Sequence, residues 1–410
     1  MWARIRLHIG WADLLHATSA CIPSRDPGPL QHRLESLWSP EGNGLAAFSV
    51  RSGFDLLLQA LALPPKSEIM FSALNIKGMI KIARSHDLVP VPVDLDLERM
   101  APRLDALEKA LTPETRAIVV AHLFGARFDL DPVVEFARRH GLLVIEDCAQ
   151  AFEGPGFIGH PGADVAMFSF GPLKTATALG GALLTVRDAE LLGRMRSIQA
   201  GYPLQKRGDY AKRIAKFAAL KVLLTRPVYG ALMRYLEWRK IDYDTAVGDA
   251  VREVASLGTE KKLRKRPSTP MLSTMLRRLR RWEAEELRAR SRAGDTLRSA
   301  LEGAVSCPGI GNERHSYWVF PVLVDDPKQA MLALRRAGFD GTNLPRSEAV
   351  AAPEGRPHLD PSTARDVLDR MIVLPCYPGL PAGELIREAD VVKSLPLAAK
   401  RSAAGTEAAA

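Results

Sequence analysis

Two short apolar runs, LLVI at 142–145 and VAMFSF at 165–170, put the tightest limits on how this chain folds. Each has the length of a buried strand, and each gives way to polar residues that an interior does not tolerate unpaired. Glu146, Asp147 and Gln150 follow the first run, while Ser169 ends the second and Lys174 follows it. In open α/β sheets, ligands sit just beyond the carboxyl ends of the strands. An acid and a lysine are thus presented from two strand ends towards one crevice. A lysine that loses its proton in a dry site captures carbonyl groups as a Schiff base. An aspartate opposite it is the partner a pyridinium nitrogen needs. Taken singly, such a lysine reads as a solvated side chain and such an aspartate as a helix cap. Together, with Gly180 and Gly181 closing the lysine loop, they read as one site. Cys148, between Asp147 and Gln150, reads as a small buried hydrophobe.

At 410 residues the chain exceeds one typical core, so two domains are expected. Its four cysteines show no paired or zinc-type spacing, which suits free thiols in a reducing compartment. The net charge of +9 belongs to one segment: residues 203–266 hold 16 Lys/Arg against 7 Asp/Glu, and the remainder balances at 40 against 40. That distribution argues against a nucleic-acid binder and sets this segment apart.

The strings HLFG (122–125), DLDPVVEFARRHGLLVIEDCAQAFEG (129–154) and GADVAMFSFGPLK (162–174) resemble the DegT family of pyridoxal-phosphate-dependent sugar aminotransferases. The likeness extends more weakly over 52–198 and 282–392. It implies that Lys174 carries pyridoxal 5'-phosphate as a Schiff base and that Asp147 pairs the pyridine nitrogen. It also implies Gln150 at the ring and Ser169 at the phosphate. Ser52 and Gly53 open an apolar helical stretch, and helix N-termini bind phosphate. The family has a threonine next, where this chain has Phe54. Ser52 reads equally as a simple N-cap. Asn75 falls nearest to the position of a ring-stacking aromatic. His122 and His315 are candidate substrate contacts, with a hydrogen-bonded core histidine as the plain alternative for His122. No metal site is expected.

Residues 1–43 read as an N-terminal extension without a signal peptide, because Arg6, His8, Asp13 and His16 interrupt any apolar core. Residues 44–202 read as the cofactor-binding large domain, 203–266 as a basic amphipathic insertion, 267–396 as a small domain and 397–410 as a disordered tail. In the insertion, Ile214, Phe217, Leu220, Leu223 and Leu224 recur at helical spacing, flanked by Lys212, Lys216 and Lys221. Two readings stay open: an interfacial helix giving peripheral membrane contact through 203–240, or a packing helix with a solvated basic face. The insertion stands where the family carries an asparagine that reaches the neighbouring subunit's phosphate, and Arg266 or Ser268 are the substitutes at hand. The family's HYxxxH-like pattern is replaced by TNLPRSEAV (342–350).

The expected fold is α/β, the type I fold of pyridoxal-phosphate enzymes: a large, mostly parallel sheet with helices on both faces, plus a smaller C-terminal α+β domain. The resemblance implies a cytoplasmic homodimer that moves an amino group, from glutamate, to a keto-sugar linked to a nucleotide. Alternatives are action on a lipid-linked or other non-nucleotide substrate at the membrane surface, and a scaffold or regulator with reduced turnover.

Overall fold

The computed structural model describes residues 1–4, 6–22, 26–239 and 260–395. The expected tail at 397–410 and residues 240–259 of the insertion lie outside them. Seven strands build the central sheet: β1 (Gly44–Ala47), β2 (Glu68–Ser72), β4 (Val89–Val93), β5 (Thr115–Ala121), β7 (Leu143–Asp147), β8 (Val165–Ser169) and β9 (Ala182–Val186). Three two-stranded pairs join distant segments: β3 (Leu74–Ile76) with β12 (Ser347–Ala349), β6 (Ala126–Arg127) with β10 (Arg314–His315), and β11 (Phe320–Leu323) with β13 (Met371–Leu374). The sheet order is β1-β9-β8-β7-β5-β2-β4. Strands β4, β2, β5, β7 and β8 run parallel, whereas β9 and β1 pair antiparallel at one edge.

Both faces of this sheet are covered, as the unbroken apolar runs require. Successive side chains alternate between faces: Ile69 and Phe71 enter one core with Val119 and Ile145, while Met70 enters the other with Ile118 and Val144. Helix α3 (Val50–Leu61) packs on the first face, beside α4 (Lys77–Ser85) and α7 (Ala189–Ala200), while α5 (Leu104–Ala110) and α6 (Asp131–Arg139) join the core on the other. Gly53 of α3 lies where a Cβ would stand 2.8 Å from Leu184 Cδ1 of β9, so its missing side chain lets the helix close on the sheet. Phe54 is fully buried and meets Phe71 edge-on at 6.2 Å. Burial of such a ring contributes about 1.5–3 kcal/mol.

The smaller unit gathers β11 and β13 with the helices Ala284–Leu301, Pro327–Arg336 and Ala382–Lys393 around Tyr317, Phe320, Leu334 and Phe339. It has the expected α+β character.

The described residues of the N-terminal extension dock on the rest of the protein. Helices α1 (Trp11–Ser19) and α2 (Gly28–Trp38) place Leu14, Leu34 and Trp38 in the same core as Phe168 and Phe170 of the lysine-bearing region. Trp2 bridges to Phe339, and Arg4 grips Asp340 with Nε–Oδ2 at 2.8 Å and Nη2–Oδ1 at 2.7 Å. Scattered turn residues concealed this docking, because each helix contributes only a few buried positions.

The insertion begins with α8 (Arg207–Leu223) and α9 (Arg226–Trp238). Its apolar face is taken up by protein: Ile214 and Phe217 are buried in the core, and Leu220 and Leu224 pack against it. The packing reading of this face is therefore the one the structure follows.

Candidate active site

The site is built at the carboxyl ends of β7 and β8. Asp147 is the last residue of β7 and Ser169 the last of β8, and the two strands are paired. Beyond β8 the chain turns through Gly171, Pro172 and Leu173. The Lys174 N–H donates to the Gly171 carbonyl at 3.0 Å, and the Thr177 N–H donates to the Lys174 carbonyl at 3.1 Å. This turn fixes the lysine backbone and sends its side chain inward. Burial pushes the Lys174 amine down to about 8, with the Asp147 carboxylate acting in the opposite direction. Asp147 is itself raised by burial, against the opposing effects of the Ala149 N–H, which donates to Oδ1 at 2.9 Å, and of Lys174.

Two further groups close on the lysine. Lys174 Nζ lies 3.8 Å from the ring centroid of Trp318, whose Nε1–H donates to the Leu173 carbonyl at 2.9 Å. Helix α8 holds the far side of the loop: Tyr210 Oη donates to the Ala178 carbonyl and Arg213 Nη1 to the Leu179 carbonyl. Trp318 reaches the site because Gly125 has no side chain. A Cβ there would stand 2.5 Å from Trp318 N and 2.6 Å from Ser316 Oγ. Gly125 also has φ +95°, in the left-handed region.

The loop 122–125 organises the floor. The Phe124 N–H donates to Gln150 Oε1 at 2.7 Å, and the His122 N–H to the Asp147 carbonyl at 3.1 Å. His122 is only 1% exposed and pairs through Nε2 with Glu146 Oε1 at 2.9 Å. Through Nε2 it supports the carboxyl end of β7 from inside, the core role, while its Nδ1 has no hydrogen-bond partner among the described residues. Burial raises Glu146, but the His122 ring and the His160 N–H outweigh it and leave the carboxyl below its usual range. His122, Glu146 and Cys148 place N, O and S atoms within 4.8 Å of one another. Both Glu146 oxygens already accept hydrogen bonds, and burial holds the Cys148 thiol well above its ordinary value, so the trio reads as a supporting network.

The remaining expected residues divide. Ser169 Oγ accepts from the Gly171 N–H at 3.3 Å, at the foot of the lysine turn. At the start of α3 the N-cap is Ser49, not Ser52: Ser49 Oγ accepts from the Ser52 N–H at 3.1 Å and lies 2.9 Å from Ser52 Oγ. The Gly53 N–H is taken by the Ser49 carbonyl. What the helix start offers a phosphate is chiefly the Ser52 hydroxyl. The Phe54 side chain points into the core, away from the site. Asn75 is buried, and its Nδ2 has no hydrogen-bond partner among the described residues. His315 lines a cavity whose lining residues do not include Lys174. Its Nδ1 accepts from the Tyr317 N–H, and Glu153, Asp295 and Arg298 line the same cavity, of about 280 Å³. Burial pushes His315 down to about 3, so it is neutral at physiological pH. Arg266 and Ser268 are both engaged at the base of the insertion, with the Tyr202 carbonyl and Gln205 respectively. Trp318, three positions after His315, is not among the residues expected from the sequence.

These residues fit pyridoxal phosphate. A desolvated amine stands at the place of attachment. The carboxyl group of Asp147 is disfavoured as an anion by burial, and an adjoining cation relieves that. The buried amide of Asn75 lacks an acceptor, a condition that costs about 1–3 kcal/mol when left unmet.

Comparison with solved structures gives the same fold. An aminotransferase, TlmJ, from Streptoalloteichus hindustanus superposes with a TM-score of 0.69 at 19% identity, covering 94% of this chain and 96% of that one. Helicobacter pylori PseC, an aminotransferase involved in pseudoaminic acid biosynthesis, gives 0.68 at 16% identity, covering 95% and 98%. A curated relative from Acidithiobacillus ferrooxidans, a UDP-N-acetyl-3-dehydro-alpha-D-glucosamine 3-aminotransferase, is 33% identical over 164 residues. That match spans 38% of this chain and 43% of the relative, less than half its length. The sequence model of one family matches residues 39–394. The chain belongs to the DegT/DnrJ/EryC1/StrS aminotransferase family, whose members depend on pyridoxal phosphate.

Proposed function

We propose that the protein transfers an amino group, from glutamate, to a keto-sugar linked to a nucleotide. The observation that carries this reading is the desolvated Lys174 amine under the electrostatic influence of Asp147 at the paired ends of β7 and β8. Bound pyridoxal phosphate supplies an electrophilic carbonyl carbon and an electron-withdrawing ring. With its pKa near 8, roughly a tenth of Lys174 is neutral at pH 7, against less than a thousandth for an ordinary lysine. Lys174 Nζ is thus able to attack a carbonyl, and afterwards to take a proton from the donor's α-carbon and return it to the acceptor. Asp147 holds the ring nitrogen protonated through a carboxylate oxygen. Gln150, fixed by the Phe124 N–H, orients the ring. The hydroxyls of Ser169 and Ser52 are the phosphate ligands this chain offers, and Asn75 Nδ2 is the buried donor available to the cofactor.

A homodimer belongs to this reading. Its support is the short set of phosphate ligands this chain offers, the hydroxyls of Ser52 and Ser169; Arg266 and Ser268, both held by intrachain partners, do not serve as the cross-subunit substitutes. Peripheral membrane contact, with a lipid-linked acceptor as the second substrate reading, is supported by the apolar surface that α1 and α9 leave exposed.

The test is half-reaction spectroscopy. Protein loaded with pyridoxal phosphate should show a visible band that glutamate bleaches and a nucleotide-linked keto-sugar restores. Lys174→Ala should fold yet show neither change, and borohydride reduction of the wild type should leave the pyridoxyl group on Lys174. A band that no amino donor bleaches, or labelling at another lysine, would sink the proposal.

A further inference from the structure

The inward faces of the insertion are satisfied by protein. In α9, Tyr229, Met233 and Leu236 pack with Ala3, while in α8 Tyr210, Ile214 and Phe217 enter the main core. The outward faces remain apolar all the same. Val228, Tyr235 and Trp238 follow one another at helical spacing along the exposed side of α9, and Trp238 is 74% exposed. On α1 and the turn after it, Trp11, Leu15 and Ile22 face solvent, the last two at 70% and 80%. All six are exposed, and none belongs to a buried core cluster.

The two stripes are joined. Helix α1 packs on α8 and α8 on α9. Lys221 Nζ lies 5.9 Å from the Trp11 ring, and the Arg226 guanidinium lies 4.2 Å over the Trp2 ring. The surrounding charge has one sign: residues 203–239 contain nine Lys/Arg against two Asp/Glu. Lys212, Arg226, Arg234 and Arg239 are exposed beside the apolar residues.

We propose that the outward faces of α1, α8 and α9 form one patch that docks on an anionic lipid surface. This refines the membrane-contact part of the functional reading and is independent of the transamination chemistry. Indole and phenol rings at the level of lipid headgroups, with long cationic side chains among them, match the amphipathic character of that boundary. Each basic residue near an anionic leaflet strengthens attachment, and the effect is screened by salt. A second copy of the chain is the poorer occupant, because two such faces would bring like charges together. The helix that carries the sequence's amphipathic signal contributes through its outward side, not through Phe217. Because Tyr210 and Arg213 tie α8 to the lysine loop, a docked patch also fixes the crevice relative to the lipid surface.

The experiment is co-sedimentation of the full-length protein with phosphatidylcholine vesicles, with and without phosphatidylglycerol. Binding is expected to the anionic vesicles alone, weakened at least about tenfold by raising NaCl to about 0.5 M. Leu15→Glu and Trp238→Glu should each weaken it by about tenfold or more, with unchanged melting and unchanged turnover of water-soluble substrates. Absence of binding at low salt overturns the proposal, as does binding indifferent to both substitutions. An oligomer that Leu15→Glu dissociates, without vesicle binding, overturns it in favour of a second copy. Because no substrate is present, failure here leaves the half-reaction result standing, and the reverse is equally true.

Discussion

Lys174, in the turn after β8, and Trp318, two residues before β11, meet ring to ammonium, with Nζ 3.8 Å from the ring centroid. The indole also hydrogen-bonds to Leu173, the residue before the lysine, so one side chain touches both the backbone of the lysine turn and the amine. An aromatic face favours the ammonium form by about 0.5–1 kcal/mol or more. Trp318→Leu should therefore lower the Lys174 pKa further, by about half a unit at 1.36 kcal/mol per unit. The measurement is the pH dependence of carbonyl capture by the cofactor-free protein. The wild-type rate should rise with pH and level off above about 8, the Trp318→Leu rate should level off lower, and Trp318→Phe should restore the profile. An unchanged midpoint would assign Trp318 a purely steric role.

Asp147→Asn keeps the shape of the β7 end but removes the charge that holds a ring nitrogen protonated. Turnover should fall by orders of magnitude, while the melting temperature stays level or rises, because a buried carboxylate is exchanged for a neutral amide. Near-normal turnover with unchanged cofactor affinity would refute the pairing role.

The carboxyl ends of β7 and β8 were legible because an apolar run that ends in Glu-Asp or Ser can be satisfied only at a strand terminus. That same logic placed Lys174, Asp147, Gln150 and Ser169 correctly relative to the sheet. Trp318 was not legible, since its contact with Lys174 joins residues far apart in sequence and depends on the missing side chain at Gly125. Helical periodicity finds an apolar face but not its occupant, so Phe217 looked equally suited to lipid and to core. Ser49 was overlooked because Ser52 offered the same cap chemistry three residues later.

The N-terminal segment yields a stability prediction. Arg4 makes a two-bonded ion pair with Asp340, which is fully buried and also accepts from Tyr229 Oη. Arg4→Ala leaves that carboxylate without its cation, and breaking a buried pair in this way costs about 3–5 kcal/mol. Thermal unfolding should shift down by several degrees, with KM unchanged for protein that remains folded. A melting curve matching the wild type would mean that the contact of the first residues with Asp340 is dispensable for stability.

The last prediction concerns Glu388, on the inner face of helix Ala382–Lys393. It is fully buried, and neither carboxyl oxygen has a hydrogen-bond partner among the described residues. Burial pushes its pKa well above the ordinary range, with nearby Arg387 acting against the shift and Glu384 adding to it. The folded state therefore binds a proton that the unfolded chain, with a carboxyl near 4.3, has already released. Stability from this group is full below about pH 4.3 and falls as pH rises, by at most about 1.4 kcal/mol per unit, until the folded-state pKa is passed. Glu388→Gln stays neutral at every pH and removes the slope. The variant should match the wild type closely near pH 4.5 and melt progressively higher than it towards pH 8. A melting difference that stays constant between those two values would show that Glu388 does not change protonation on folding.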